Sequence, residues 1–151
     1  MFFNEEIMTL HSDAPDAATI ITKLAHQLEA KDLVTEKFFP HVLAREEKYP
    51  TGLAAGPIGV AIPHTDSIYV KESQIAFASL AKPISFKNMV DLEQDVPVLL
   101  VFMIAMSSPH EQTALLSNLM NMFQDQQTLQ QLNQSDTKKQ VIDILNTNKI
   151  I

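Results

Sequence analysis

The feature of this sequence that most constrains its fold is an apolar run at residues 96–106, eleven residues interrupted only by Pro97. The run is about half as long as the roughly 20 residues that a membrane-spanning helix needs. Residues 98–106 contain enough β-branched and aromatic side chains to predict a central strand that is covered on both faces. We therefore expect the rest of the chain to supply layers for both sides of a sheet.

The remaining apolar patterns predict an alternation of helices and strands around this central strand. Helical spacing of apolar residues predicts four helices, at residues 14–30, 36–47, 109–123 and 136–146. Asp13 is the expected cap of the first helix, and Pro109 begins the third. Short apolar or alternating stretches predict further strands at residues 58–62, 74–80 and 83–86. Residues 48–57, rich in proline and glycine, are predicted to form a long internal loop.

The order of these elements predicts an α/β fold, with a mixed central β-sheet flanked by helices on both faces in a three-layer sandwich. A length of 151 residues, 46% of them hydrophobic, is enough for one domain over residues 1–151 with a full core. The formal net charge is −7, and no basic cluster is present. This charge disfavours binding to nucleic acid and to anionic membrane surfaces.

The chain has no cysteine, which excludes disulfides, thiolate metal sites and cysteine nucleophiles. The lack of cysteine is consistent with a cytoplasmic protein. The first residues contain neither a basic segment nor a long apolar stretch, so we expect no secretory signal and no direct insertion into a membrane.

The segment at residues 59–66 carries the strongest chemical signal. A buried strand is followed by Pro63, which lacks an N–H group and has a fixed φ angle, so the strand is expected to end there. His64 follows at once and is thereby placed at the rim of the sheet, where α/β folds position their active groups. A histidine in this position can act as a nucleophile, a general base or a metal ligand.

A second histidine, His110, lies at the start of the helix that follows the central strand. The first-turn N–H groups of such a helix can bind an anion. The other three histidines, His11, His26 and His41, are predicted to face solvent and are assigned no role.

Several short motifs occur together along the chain: Arg45-Glu46, Thr51-Gly52, Val60-Ala61-Ile62-Pro63-His64, and His110 with Leu115. Over the whole chain they resemble the IIA domain of the fructose/mannitol class of the sugar phosphotransferase system. The Pro-Thr-Gly-Leu sequence at residues 50–53 is most similar to the galactitol branch of that family. The family often has glycine after the first histidine, where this chain has Thr65.

The resemblance implies a phosphotransferase that works without a cofactor or a metal. His64 would receive a phosphoryl group from phospho-HPr and donate it to a cysteine of the cognate IIB protein. Arg45 would neutralise phosphoryl oxygens, a task suited to its planar fork of donors. His110 would donate a hydrogen bond to the group in transfer.

The residues after His64 are candidates for binding the phosphate. The backbone amides of Thr65, Asp66 and Ser67, with the hydroxyls of Thr65 and Ser67, could hold phosphoryl oxygens, although such hydroxyls also form turns. The second ring nitrogen of His64 needs a fixed acceptor, either a backbone carbonyl in the loop or Asp66.

The partners follow from the same resemblance. Without a cysteine or a membrane span, this chain contains neither IIB nor the membrane component IIC, which are therefore expected on separate polypeptides. The sugar is not encoded here, because its specificity lies in IIC. Two alternative functions stay open: a phosphorylation-dependent regulatory docking module, and a metal-dependent hydrolase that uses His64, Asp66 and His110.

Overall fold

A computed structural model describes residues 3–148 and 150 of the chain. Five strands form one sheet: β1 (Phe3–Ser12), β2 (Gly52–Leu53), β3 (Gly59–Ala61), β4 (Gln74–Lys87) and β5 (Asp95–Ala105). The described helices are α1 (Ala17–Ala30), α2 (Phe38–Lys48), α3 (Pro109–Met122), α4 (Gln126–Gln134) and α5 (Lys138–Thr147). Within the described residues, every helix is too short or too polar to cross a membrane.

The sheet is mixed and has the strand order β1-β4-β5-β3-β2. The β1–β4 and β3–β5 pairs are parallel, whereas the β4–β5 and β2–β3 pairs are antiparallel. Because β3 and β5 run in the same direction, the residues that follow them emerge at the same edge of the sheet. His64 follows β3 and Ser107 follows β5, so both predicted histidine-bearing segments begin at this edge.

Both faces of the sheet are buried under helices, as the apolar run at residues 96–106 predicts. On β5, Val101 and Met103 belong to a core that includes the apolar faces of α1 and α2. The alternate residues Phe102 and Ile104 belong to a second core, shared with α3, α4 and α5. The predicted three-layer α/β sandwich is therefore confirmed.

Three of these strands and α-helices were not predicted. β1 lies in a segment that reads as a polar lead-in, and it becomes a strand by pairing in parallel with β4. β2 lies inside the predicted loop at residues 48–57 and has only two residues, paired with β3. α4 is nine residues long and mostly polar, with Leu129 and Leu132 as its buried apolar residues. Tertiary pairing forms β1 and β2, whereas α4 also has a local signal, the Asp125 side chain that caps it by accepting from the Gln127 and Thr128 N–H groups.

Several predicted boundaries were wrong. The strands predicted at residues 74–80 and 83–86 are one strand, β4, whose pairing with β5 shifts register between Ser79 and Ile84. α1 begins at Ala17 rather than at residue 14, because the side chain of Asp16, not Asp13, caps it by accepting from the Thr19 N–H at 2.8 Å. α5 begins at Lys138 rather than at residue 136, after a capping box formed by Thr137 and Gln140.

Candidate functional site

The backbone at Pro63 places His64 at the edge of the sheet next to β5. The carbonyl oxygen of Pro63 accepts a hydrogen bond from the Ile104 N–H at 3.0 Å, and His64 forms an isolated parallel bridge with Ile104. The regular strand does end before Pro63, at Ala61. Pairing with β5 nevertheless continues as far as His64, because proline lacks a donor but keeps its carbonyl acceptor.

The ring of His64 is held by one hydrogen bond to the backbone. Its Nδ1 lies 2.7 Å from the carbonyl oxygen of Ile62, two residues earlier. A carbonyl oxygen can only accept, so Nδ1 carries the proton and donates. In the neutral ring, Nε2 therefore keeps its lone pair. Of the two acceptors left open by the sequence, the backbone carbonyl is the one used, and Asp66 is not.

The surroundings of His64 favour the neutral imidazole. Burial is the largest influence and lowers the pKa of the ring below its usual value of 6.5. The hydrogen bond to Ile62 opposes this effect, the positive charge of Arg45 lowers the pKa further, and the negative charge of Asp66 raises it. A neutral ring at neutral pH is a nucleophile, whereas the imidazolium is not.

Arg45 reaches this region from the last turns of α2. Its positive charge is one of the influences that lower the pKa of the His64 ring. The guanidinium carbon lies 5.8 Å from the centre of the Tyr49 ring. The Nε of Arg45 is buried and has no hydrogen-bond partner among the described residues. Arg45 therefore keeps donor capacity for an anion.

A cleft separates the segment that follows His64 from the segment that follows β5. Ser108 caps α3 by accepting from the Glu111 N–H at 3.2 Å, and the Ser73 hydroxyl accepts from the Ser107 N–H at 2.9 Å. The cleft lies between the two segments and is lined by Asp66, Ser67, Ile68, Ser107, Pro109 and Gln112.

The remaining predicted residues differ in exposure. His110 is exposed in the first turn of α3 and does not line this cleft, and its side chain forms no hydrogen bond with any residue that the structure describes. His64 does not line the cleft either, and among the described residues no ring contact or hydrogen bond joins the two histidines. Thr65 is buried, Ser67 is half-buried, and Asp66 is exposed. His11, His26 and His41 are exposed, as predicted.

Glu46 and Thr51 belong to this site, although sequence reasoning gave them no role. Glu46 is buried and accepts hydrogen bonds from both the backbone N–H and the hydroxyl of Thr51. The hydroxyl oxygen of Thr51 in turn accepts a hydrogen bond from the backbone N–H of Ile62, at 3.2 Å. The signal was present in the sequence as the Arg45-Glu46 and Thr51-Gly52 pairs, but their spacing does not reveal that the two side chains meet.

Residues 1–148 match the family described as "Phosphoenolpyruvate-dependent sugar phosphotransferase system, EIIA 2". The chain belongs to this family. IIA components of this system are phosphotransferases, and the chain is thus a phosphocarrier of the IIA type. This family membership agrees with the mixed sheet and with the resemblance found in the sequence motifs.

Individual relatives of this IIA chain include both transport components and a regulator. The galactitol-specific EIIA component of Escherichia coli (strain K12) is 29% identical over 109 residues, which is 72% of each chain. The transcriptional regulator ManR of Bacillus subtilis (strain 168) is 30% identical over 113 residues, covering 75% of this chain but 16% of that protein.

A solved structure shares the fold of this IIA chain. It is the complex of enzyme IIAMTL and phosphorylated enzyme IIBMTL from Escherichia coli, with a TM-score of 0.75 and 20% identity. The match covers 97% of this chain and 99% of that one.

The metal-dependent hydrolase receives no support from the geometry of this IIA chain. Across residues 3–148 and 150, no group of three histidine, aspartate or glutamate side chains is arranged to hold a metal ion. A metal hydrolase needs several such ligands on one ion.

Proposed function

We propose that Nε2 of His64 is the atom that accepts and donates the phosphoryl group. The observation that carries this proposal is the hydrogen bond from Nδ1 to the Ile62 carbonyl, which leaves the Nε2 lone pair free. In the first step this lone pair forms the P–N bond as the bond to the donor breaks, and the electron pair leaves with the donor. In the second step an acceptor thiolate forms a P–S bond, and the electron pair of the P–N bond returns to Nε2.

Charge and donors around His64 support the transfer, because a loose transition state needs positioning and positive charge more than acid–base groups. We assign Arg45 to the phosphoryl oxygens, since its charge already acts on the His64 ring. The amides of Asp66 and Ser67 form no hydrogen bond with any described residue, and this supports a part in phosphate binding. Thr65 is the further candidate in this segment.

The role of His110 is the least supported by geometry. Its position in the first turn of α3, at the same edge of the sheet as His64, is compatible with a hydrogen bond to the transferring group. Because His110 is exposed, it is accessible to a donor or acceptor protein that docks at this edge.

We assign phospho-HPr as the donor, a cysteine of a separate IIB protein as the acceptor, and IIC as the indirect membrane partner. The structurally similar IIAMTL, in its complex with phosphorylated IIBMTL, supports a IIB partner. The galactitol-specific relatives support galactitol or a related polyol as the sugar. We also propose that residues 1–151 act as one domain.

Incubation with phosphoenolpyruvate, enzyme I and HPr, followed by intact-mass measurement, tests the first step. The wild type should gain one acid-labile phosphoryl group, and His64→Ala should gain none. His26→Ala is the matched control, because it removes an exposed histidine from α1 and should leave the gain unchanged. If the wild type gains nothing, or if His64→Ala gains as much as the wild type, the proposal is wrong.

Transfer onward to IIB separates a carrier from a regulatory docking module. The similarity to part of ManR gives the regulatory alternative its support. A carrier loses its phosphoryl group rapidly when a cognate IIB protein with its cysteine is added, and a Cys→Ser variant of that IIB should not discharge it. A phosphorylated chain that no IIB of the galactitol, ascorbate or mannitol type discharges would favour the regulatory module.

A further inference from the structure

A continuous series of hydrogen bonds joins α2 to the ring of His64. It begins at Glu46, a residue that is only 8% exposed. The Glu46 Oε2 accepts from the Thr51 N–H at 2.7 Å, and Oε1 accepts from the Thr51 hydroxyl at 2.6 Å. Both carboxylate oxygens of Glu46 therefore accept hydrogen bonds from the same residue, Thr51.

When Glu46 is ionised, the direction of each hydrogen bond in the series is fixed by its end groups. The hydroxyl of Thr51 has one hydrogen, which goes to Glu46, so its oxygen is free to accept from the Ile62 N–H at 3.2 Å. The carbonyl of Ile62 then accepts from Nδ1 of His64 at 2.7 Å. Both polar groups of Ile62 are thus held, one by Thr51 and the other by the histidine ring.

The side chain of Thr51 replaces a missing position in the sheet. Gly52 pairs with Ala61 in the antiparallel β2–β3 ladder. This is the terminal pair of the ladder, because β2 begins at Gly52 and β3 ends at Ala61. Thr51 precedes Gly52 and Ile62 follows Ala61, so the hydroxyl satisfies the next N–H group where the ladder has ended. A buried N–H without this acceptor would be costly.

We propose that Glu46 and Thr51 are positioning residues, which fix the Ile62 peptide and thereby hold His64 with its proton on Nδ1 and its lone pair on Nε2. This inference rests on the proposed role of His64 as the phosphoryl carrier. A purely structural role would not require an acidic side chain, because burial raises its pKa and destabilises its ionised form, and an apolar side chain would fill the same space. The carboxylate orients the Thr51 hydroxyl so that its oxygen faces the Ile62 N–H.

Thr51→Val tests the series, because it removes the hydroxyl at nearly constant volume. The matched control is Thr128→Val, since Thr128 is also buried and its hydroxyl also donates to a carboxylate, at 2.9 Å from Asp125. Thr128 lies in α4, outside the series. Thr51→Ser restores the hydroxyl and should behave like the wild type.

Two measurements follow on each protein. Proton–nitrogen correlation NMR of the imidazole ring reports the share of His64 rings protonated on Nδ1. A single-turnover assay with phospho-HPr reports the phosphorylation rate. We expect Thr51→Val to raise the Nε2-protonated share and to lower the rate by about fivefold to tenfold, the effect of one lost hydrogen bond. Thr51→Ser and Thr128→Val should match the wild type in both.

A folded Thr51→Val that keeps the wild-type tautomer and rate would overturn the proposal. An equal loss of rate in Thr51→Val and Thr128→Val, with the tautomer unchanged in both, would also overturn it, because the loss would then reflect stability alone. If Thr51→Val does not fold, Glu46→Gln replaces it, with the same expected direction. A wild type that takes no phosphoryl group refutes the proposed phosphocarrier function. The NMR measurement still tests whether Glu46 and Thr51 position the His64 ring, because it does not depend on phosphorylation.

Discussion

The buried carboxyl of Glu46 makes the stability of the fold depend on pH, and the sign of this dependence follows from its environment. Burial raises the pKa of Glu46 from 4.5 to about 7, against the two hydrogen bonds from Thr51, which favour the ionised form. Between these two values the folded chain keeps a proton that the unfolded chain has released. The contribution of protonated Glu46 to the free energy of unfolding is therefore fully present below pH 4.5 and is lost as the pH rises through 7.

The difference between the two pKa values sets the size of the effect. Linkage gives a loss of about 2.5 kcal/mol in the free energy of unfolding between about pH 5 and pH 8 from this one group. A typical domain has a total stability of roughly 5–15 kcal/mol, so this loss is a measurable share. Glu46 is buried, so solvent screening does not reduce it much.

Urea unfolding of the wild type and of Glu46→Gln at several pH values measures the loss directly. Glutamine cannot titrate, so the wild type should lose about 2.5 kcal/mol more than the variant between about pH 5 and pH 8. The lowered pKa of His64 acts with the opposite sign, so both proteins also carry His64→Ala, which removes that contribution from the comparison. Glu47→Gln makes the same change at an exposed neighbour and should follow the wild type.

Parallel stability profiles for the wild type and Glu46→Gln would refute this reasoning. They would mean that Glu46 is ionised throughout this pH range, and that the two hydrogen bonds from Thr51 outweigh burial. A larger loss in Glu46→Gln than in the wild type would contradict the sign of the effect.

Three further predictions concern the site and the sheet beneath it. Arg45→Ala should raise the pKa of His64 in an NMR titration and slow phosphorylation by about 100-fold, because it removes the charge that lowers this pKa and faces the phosphoryl group. Gly59→Ala should reduce the free energy of unfolding by about 1–3 kcal/mol in urea, because a Cβ there would overlap the Pro97 carbonyl oxygen on β5. His110→Ala should slow transfer by about tenfold, the worth of one hydrogen bond, with an unchanged thermal midpoint.

The fold was predictable where a segment carries its own pattern. The apolar run ending at residue 106 indicates a strand covered on both faces, and β5 has that burial. The inward residues of α1 follow from helical spacing alone, and Ile20, Leu24 and Leu28 are buried as predicted. These elements bury a continuous apolar face, so local pattern and tertiary packing agree.

The segments that sequence reasoning missed are those whose structure depends on a distant partner. β1 needs β4 beside it, and the two-residue β2 exists only through its pairing with β3. The same limit applies within the site. The placement of His64 at the edge of the sheet could be predicted from Pro63, its neighbour in sequence. The hydrogen bonds between Glu46 and Thr51 could not, because they depend on how the chain turns after α2.

The positive charge of Arg45 has a consistent effect on both states of the proposed phosphocarrier. Before transfer it disfavours the imidazolium form, because two like charges repel, and it thereby keeps the His64 ring nucleophilic. After transfer the same charge faces a phosphoryl group that carries negative oxygens, and the interaction becomes attractive. Asp66 acts with the opposite sign on the ring and would repel the phosphoryl group. A site with both residues therefore stabilises the phosphorylated state less than Arg45 alone would, which suits a carrier that has to pass its group onward.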